Sequence, residues 1–293
     1  MARRECHQAD GHTGTDAGDS VPRKRAQTLG THNLVYANAD VTKATQNREV
    51  IAFCDHWKAV STADPKMLIM DQKVTTQPIL GELDARCVKF ATLRMRSPAL
   101  MRQINALASR DYKTVSLNRP GPHNGPRVHE SAAVRLTSHP GTVRQLIVTG
   151  LGREAPTVII TNDTAITTKT LIEHYARRMT IEQRLAEIIQ AFCADALSSA
   201  VNLNVDLDVV LCVLAQALTA ALRLRLPGNY AHATPDTLQR RFLDAPGEII
   251  RHGNGITVKI NRRAYSPVLR EATLPADTAV PWWDGRQLHF EFA

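Results

Sequence analysis

The sequence is poor in the features that mark secreted, zinc-binding and membrane proteins. It has five cysteines in 293 residues, widely spaced and never in a Cys-x-x-Cys pair. This odd, scattered set excludes a disulfide framework and a zinc ribbon, and it predicts a reducing, cytoplasmic setting. Residues 1–20 contain no apolar run, so a secretory signal peptide is not expected.

Long hydrophobic runs are also scarce. The most apolar stretch, residues 209–222, carries Gln216 near its middle and is shorter than a membrane-spanning helix requires. It therefore predicts a helix buried in the protein core, and no membrane partner is expected.

The overall composition is that of a folded chain with a basic bias. Hydrophobic residues make up 43% and charged residues 22%, enough to bury a core and too much for a mainly disordered protein. The 36 Lys and Arg against 28 Asp and Glu leave a net charge of +8. This excess favours an anionic partner without identifying it.

The chain divides into three regions by pattern. Residues 1–30 show no strand or helix periodicity and are predicted to be disordered or non-native. Residues 31–200 begin with strands at 33–37, 67–70 and 88–93, separated by amphipathic helices. Alternation of this kind predicts an α/β fold with a mixed or parallel sheet.

The rest of the second region and the third region are more varied. A β-rich insertion is predicted at about 111–162, followed by one long helix at about 168–196. Residues 201–293 predict further helices and then strands, including a hairpin around 249–260. The C-terminal region is therefore helical first and ends in β hairpins.

Asp71 is the first candidate for chemistry. It follows a continuous apolar run, residues 67–70, of the kind that forms a buried strand. Open α/β sheets bind ligands at the carboxyl ends of such strands. The alternative is an ordinary acid that caps the helix after it.

Tyr175, Arg178 and Glu182 form the second candidate set. Spacings of three and then four residues place their side chains on one face of a continuous helix. One alternative is a solvated face with a weak Arg–Glu pair. Another is a new helix starting at the capping-box pattern Thr180-x-x-Gln183, which would break the face.

Together these motifs resemble those of DDE-type bacterial insertion-sequence transposases. The resemblance is carried by Asp71 after its apolar strand, by the stretch VKFATLRMRS at 88–97, and by Y-x2-R-x3-E from Tyr175 to Glu182. Further matches are YANAD at 36–40, Arg144-Gln145 and Thr161-Asn162-Asp163. The resemblance covers about residues 33–293.

The family resemblance implies a ribonuclease-H-like mixed sheet in which three carboxylates hold two Mg²⁺ ions, with Mn²⁺ as a substitute. The implied reaction is phosphodiester cleavage and strand transfer during DNA transposition, a form of DNA recombination that moves a transposable element. Asp71 and Glu182 would be the catalytic metal ligands, and Tyr175 and Arg178 would contact DNA.

The resemblance also implies the partners and the location. The partner is double-stranded DNA, at the transposon ends and at the target, bound by a homodimer. Arg94 and Arg96 are further candidates for DNA contact along the phosphate backbone, with a solvated basic face as the alternative. The expected location is the bacterial cytoplasm, on the nucleoid when DNA is bound.

Two positions depart from the family pattern. Ile189 stands where the family has a lysine seven residues after the glutamate. The first catalytic aspartate is expected on a strand before residue 33, but Asp10, Asp16 and Asp19 follow no apolar run, and Asp40 lies past a later strand. The chain is therefore expected to begin inside the catalytic domain. The alternative function is a catalytically impaired remnant that only binds DNA, because phosphate contacts do not require the metal.

Overall fold

The computed structural model describes residues 24–27, 34–38, 41–119, 123–152, 155–193, 202–272, 274 and 278–292. The four acids considered for the first catalytic position, Asp10, Asp16, Asp19 and Asp40, lie outside these residues. Within the described residues the protein is a mixed α/β structure built on a six-stranded sheet, which agrees with the predicted α/β class.

The secondary structure elements follow in chain order. The strands are β1 (Lys24–Gln27), β2 (Leu34–Asn38), β3 (Met67–Ile69), β4 (Lys89–Leu93), β5 (Lys113–Thr114), β6 (Arg127–Arg135), β7 (Thr142–Thr149), β8 (Thr157–Thr161), β9 (Gly247–Arg251), β10 (Gly255–Ile260), β11 (Thr278–Val280) and β12 (Arg286–Phe292). The helices are α1 (Glu49–Ser61), α2 (Gln77–Ala85), α3 (Pro98–Asn105), α4 (Thr168–Arg177), α5 (Met179–Phe192), α6 (Asn202–Arg223), α7 (Pro235–Leu238) and α8 (Ser266–Glu271).

The six-stranded sheet has the order β3-β4-β8-β7-β6-β5. Strands β3 and β4 are parallel, with Met67 opposite Lys89 and Ile69 opposite Ala91, and the other neighbours are antiparallel. The strands at the positions of the predicted β insertion, β5 to β8, belong to this sheet. They extend the sheet because β8 pairs directly with β4.

Helices cover both faces of this sheet. Side chains alternate along each strand, so Phe90 and Ile160 point to the face packed by α1 and α2, and α3 packs on that same face over Ile147 and Val158. Ala91 and its neighbours on β7 and β8 point to the other face, where they form a core with α4. The result is a three-layer arrangement.

The strand predicted at 33–37 does not join the main sheet. It appears as β2 and pairs antiparallel with β1, which lies inside the segment predicted to lack regular structure. The hairpin is tied to α1 because the Tyr36 hydroxyl and the Asn38 amide both donate to Glu49, at 2.5 and 2.8 Å. Burial and the nearby Glu49 carboxylate raise the pKa of Tyr36, so its hydroxyl stays a donor.

The long helix predicted at 168–196 is divided into α4 and α5, and the C-terminal region ends in a four-stranded sheet of order β11-β12-β10-β9. The hairpin predicted around 249–260 is confirmed as β9 and β10.

The apolar stretch at 209–222 lies in α6, but α6 is not the buried helix that was predicted. Its window Asn204–Arg223 is long and apolar enough to span a membrane by length and composition alone, and only 17% of that window is buried.

Asn162, just past the end of β8, links three elements of the main sheet layer. Its side-chain oxygen accepts from the backbone N–H of Phe90 at 2.8 Å, and its amide donates to the Val88 carbonyl at 3.0 Å and to Asp84 on α2 at 2.5 Å. The other carboxylate oxygen of Asp84 lies 2.9 Å from the buried imidazole of His139. Asn162 thus continues the β4–β8 ladder where the strand itself has ended.

Replacing this side chain is expected to destabilise the fold. Asn162→Ala leaves the Phe90 N–H and the Val88 carbonyl without their partner, so the free energy of unfolding should fall by about 2–3 kcal/mol. Urea denaturation followed by circular dichroism measures the change. Asn105→Ala, at the exposed end of α3, is the matched control and should stay within about 0.5 kcal/mol of the parent; equal losses for the two variants would contradict the role of Asn162.

Candidate functional site

Asp71 lies at the carboxyl edge of the main sheet. The Met70 N–H still bonds the Ala91 carbonyl at 2.9 Å, so Asp71 is the first residue beyond the β3–β4 ladder. One oxygen of its carboxylate accepts from the Gln72 N–H at 2.8 Å. Helix α2 begins six residues later with Thr76 as its N-cap residue. The alternative interpretation of Asp71 as a helix cap is therefore wrong.

Arg178 joins the two helices that carry the second candidate set. Helix α4 ends at Arg177 and α5 begins at Met179, but Arg178 itself keeps helical angles, φ −54° and ψ −33°. The shared face is therefore retained across the joint. Nη1 of Arg178 lies 3.6 Å from Oε1 of Glu182, four residues further on.

The same guanidinium also reaches Asp71. Nη1 of Arg178 lies 4.0 Å from Oδ2 of Asp71. The two carboxylate oxygens are therefore no farther apart than the sum of the two distances to this one nitrogen. Asp71 and Glu182 are 111 positions apart in the sequence and were predicted to act together. In the structure both lie within 4.0 Å of Nη1 of Arg178.

Arg178 is held between the acids by charge more than by hydrogen bonds. Both distances exceed hydrogen-bond length, and its side chain is only 19% exposed. Its Nε–H is buried and has no hydrogen-bond acceptor among the described residues. The guanidinium is thus a partly desolvated positive charge that offsets the repulsion between two carboxylates.

Tyr175 lies beneath this cluster. Its ring is 9% exposed and belongs to the core between α4 and the sheet, and the Arg178 guanidinium carbon lies 5.6 Å from the ring centroid. A buried ring offers little surface to a DNA base, so the expected DNA contact is replaced by packing and a cation–π contact. Burial, and then the positive charge of Arg177, lower the pKa of His174, the residue before Tyr175 on α4.

The two carboxylates suit a hard, hydrated cation. The Asp71 and Glu182 side chains are 40% and 62% exposed, so a bound ion would keep several waters. Mg²⁺ is commonly held by one or two carboxylates plus water or phosphate oxygens. Within the described part of the chain, no group of three or more His, Cys, Asp or Glu side chains is placed to hold a metal. The described residues therefore contribute two carboxylates here, one fewer than the three that the family resemblance implies.

The two arginines after β4 differ from each other. Arg94 donates to Gln145 at 2.5 Å, and burial lowers the pKa of its guanidinium. Arg94 therefore links the end of β4 to β7 through Gln145, whereas the sequence predicted a contact with DNA. Arg96 is exposed and makes one long bond, 3.4 Å, to the Pro156 carbonyl. Of the pair, only Arg96 presents its charge to solvent.

Ile189, where the family pattern has a lysine, packs beside Ile188 in a small apolar cluster with residues of α6. A charged side chain at this position would lose its hydration on burial. Ile189 is thus a partly buried packing residue between α5 and α6.

A network missed by the sequence reasoning fixes the start of α4. Arg144, on β7, donates to Glu130 at 2.8 Å, to Thr168 at 2.9 Å and to the Ile166 carbonyl, while Thr168 donates to Glu130 at 2.7 Å. The network ties α4, and with it Arg178, to β6 and β7. Its sequence signals were a charged residue inside an apolar strand run and the match of Arg144-Gln145 to the family pattern.

Substitution of Glu130 should weaken this anchor in a pH-dependent way. The hydrogen bond from Arg144 lowers the pKa of Glu130 below its ordinary value of 4.5. A lowered pKa means that the carboxylate stabilises the fold above its ordinary titration range and loses that effect as the pH falls through its folded-state pKa. Glu130→Gln should therefore cost about 1–2 kcal/mol at pH 7, and the gap should close in acid.

Chemical denaturation of both proteins at a series of pH values measures this difference. Glu173→Gln, also on a half-buried acid that bonds a backbone N–H, is the control for the loss of a negative charge near α4. A constant gap between the parent and Glu130→Gln from pH 7 to acid would argue against the ion pair with Arg144.

Comparison with family models and with curated proteins identifies no relative of this chain. No family model matches this chain, and a search of the curated proteins finds no match. The fold and the cluster together define the class: a mixed α/β protein with two carboxylates and one guanidinium at the carboxyl edge of its sheet.

Proposed function

We propose that this chain is a DDE-type DNA transposase with a ribonuclease-H-like catalytic domain. It would carry out Mg²⁺-dependent phosphodiester cleavage and strand transfer at transposon ends. The observation that carries the proposal is the position of Arg178, within 4.0 Å of Asp71 and 3.6 Å of Glu182. The residues that resemble the family motif are thereby close enough to act together.

The sheet supports the same proposal. A ribonuclease-H-like sheet has parallel strands, helices on both faces, and a further strand with the first acid beside the strand that leads to the second. Here β3 and β4 are parallel, and β3 is the edge strand of the six described strands. The outer side of β3, next to Asp71, is therefore open to a further strand.

Asp71 and Glu182 are the residues that would hold the metal, with Mn²⁺ as a substitute. When bound, the metal supplies charge for the reacting phosphate and lowers the pKa of an attacking hydroxyl. A metal held by Asp71 and Glu182 would compensate the charge that Arg178 now balances. Arg178 would then bind a phosphate, which its two parallel N–H donors fit.

The net charge of +8 and the exposed Arg96 support double-stranded DNA as the partner. On this proposal the protein acts as a homodimer on paired transposon ends, in the bacterial cytoplasm on the nucleoid. Cys54, Cys87, Cys193 and Cys212 form no disulfide among the described residues, which is compatible with such a reducing compartment.

A second candidate function is DNA binding without cleavage. It is favoured by the carboxylate count, because the described residues contribute two acids to the site where the family mechanism uses three. With fewer ligands a metal is held weakly and the charge of the transition state is poorly compensated. Contacts from basic side chains to phosphates would be unaffected.

Nicking of transposon-end DNA separates the two candidates. The parent protein should nick supercoiled DNA carrying the ends in Mg²⁺ or Mn²⁺, and Glu182→Gln and Asp71→Asn should each reduce the rate by about 10²–10³, because a charged metal ligand is lost. Asp236→Asn, at an exposed acid outside the cluster, is the matched control and should retain the parent rate.

The outcome decides the function. Nicking that survives in Glu182→Gln would overturn the transposase mechanism. Salt-sensitive DNA binding by the parent without nicking in either metal would establish the second candidate.

Arg178→Ala should affect metal and DNA in opposite directions. Removing a positive charge about 4 Å from the carboxylates should strengthen Mn²⁺ binding about fivefold, while the loss of a phosphate contact weakens DNA binding. Titration of Mn²⁺ by electron paramagnetic resonance and of labelled DNA by fluorescence anisotropy measure the two effects. Arg102→Ala, on an exposed arginine of α3, is the control. If Mn²⁺ affinity did not change, Arg178 would not share a site with the metal.

A further inference from the structure

A cavity in the C-terminal region lies apart from Asp71, Arg178 and Glu182. It is lined by residues of the 3₁₀ turn Gly228–His232, of the π-helical turn Gln239–Leu243 and of α8. Its volume is about 640 Å³, which is in the usual range for pockets that bind small molecules. The cavity is therefore large enough for a small ligand.

Two tyrosine rings hold Arg241 at this cavity. Its guanidinium carbon lies 4.8 Å from the ring centroid of Tyr265 and 5.8 Å from that of Tyr230, and its Nη1 donates to the Tyr230 hydroxyl at 3.3 Å. Both rings make T-shaped contacts with Phe242, a buried residue of the C-terminal core. Contacts with ring faces position a guanidinium and leave most of its N–H donors unused.

The charge of Arg241 is not balanced by an acid in the described part of the chain. Its neighbour Arg240 pairs with Asp236 at 2.5 Å, whereas no described carboxylate forms an ion pair with Arg241. The Arg241 side chain is also half-buried, so part of its hydration is lost. A guanidinium in this state favours an anionic ligand.

The backbone that carries Arg241 has an unusual conformation. The Asp244 N–H bonds the carbonyl of Gln239, five residues earlier, at 2.8 Å, so residues 239–243 form a π-helical turn. Such turns are rare and frequently occur at functional sites. This is a second indication, independent of charge, that the cavity is a binding site.

Glu271 brings the opposite charge to the same cavity. It is the last residue of α8, is exposed, and forms no ion pair among the described residues. Arg241 and Glu271 thus line one cavity without reaching each other. The wall also includes the apolar Pro227, Ala233 and Val268. A ligand that fits all three features has a negative group, a positive group and an apolar part.

We propose that this cavity binds a free amino acid with an apolar side chain, in its zwitterionic form. The guanidinium of Arg241 holds the carboxylate through paired N–H donors. Glu271 binds the ammonium group, and the apolar side chain packs on Ala233 and Val268. A phosphate fits less well, because the Glu271 carboxylate repels it. The cavity contains none of the residues of the proposed catalytic site, so the proposal does not rest on the proposed function.

Three related probes test the proposal on the unaltered protein. L-Leucine carries both charges, N-acetyl-L-leucine lacks the ammonium group, and L-leucinamide lacks the carboxylate. Saturation-transfer-difference NMR measures the three dissociation constants. L-Leucine should bind, and each of the other two should bind about tenfold more weakly, because each leaves one charged group of the protein without its partner.

Glu271→Gln tests which residue binds the ammonium group. The side chain is exposed, so the circular dichroism spectrum should not change. L-Leucine should bind about tenfold more weakly, and N-acetyl-L-leucine should bind as it does to the parent, since its missing ammonium group no longer matters. Glu248→Gln, at an exposed acid of β9 outside the cavity, is the matched control and should bind L-leucine like the parent.

Arg241→Lys tests the other end of the ligand. It keeps the positive charge beside the tyrosines but loses the paired donors, so it should weaken L-leucine and leave L-leucinamide unchanged. A folded parent that does not bind L-leucine at millimolar concentration overturns the proposal. So do equal affinities for the three probes, a Glu271→Gln variant that still discriminates against N-acetyl-L-leucine, or binding of acetate as tight as that of L-leucine, which would indicate a simple anion site.

Discussion

The charge of Arg178 is the interaction on which the candidate site depends. Asp71 follows an edge strand of the sheet, and Glu182 lies on α5, the helix after the one that packs on the sheet. Two carboxylates this close repel each other unless a positive charge lies between them. The guanidinium provides that charge while its carbon lies 5.6 Å from the ring centroid of Tyr175, a residue of the core. The described residues of the site thus balance part of their own charge.

The scaffold around the site depends on side chains that continue the backbone hydrogen bonding. Asn162 extends the β4–β8 ladder past the end of β8, and the Arg144–Glu130–Thr168 network secures the first turn of α4 to β6 and β7. Because α4 leads directly into Arg178, the contacts that hold α4 on the sheet also set the position of the guanidinium. Polar residues inside an otherwise apolar strand therefore act here as positioning residues for a site on the neighbouring helix.

Helix α6 is more exposed in the structure than its sequence predicts. The sequence predicts a buried helix because α6 is apolar around most of its circumference. The structure buries Val209, Gln216 and Arg223, leaves Leu211 and Leu214 exposed, and joins α6 to α5 through the Arg223–Glu187 pair. Apolar composition alone did not predict which side of α6 is buried, because that depends on which distant segments pack against it.

The sequence by itself determined the local elements: the strand before Asp71, the start of α2 near Pro78, the C-terminal hairpin, and the common face of Tyr175, Arg178 and Glu182. These follow from periodicity, capping and backbone preference, which act within a few residues. Tertiary structure alone decided that β2 leaves the main sheet, that β8 pairs with β4, that Tyr175 is buried, and that Asp71 reaches Arg178. Each of these depends on which distant segments pack together, and local patterns carry no information about that choice.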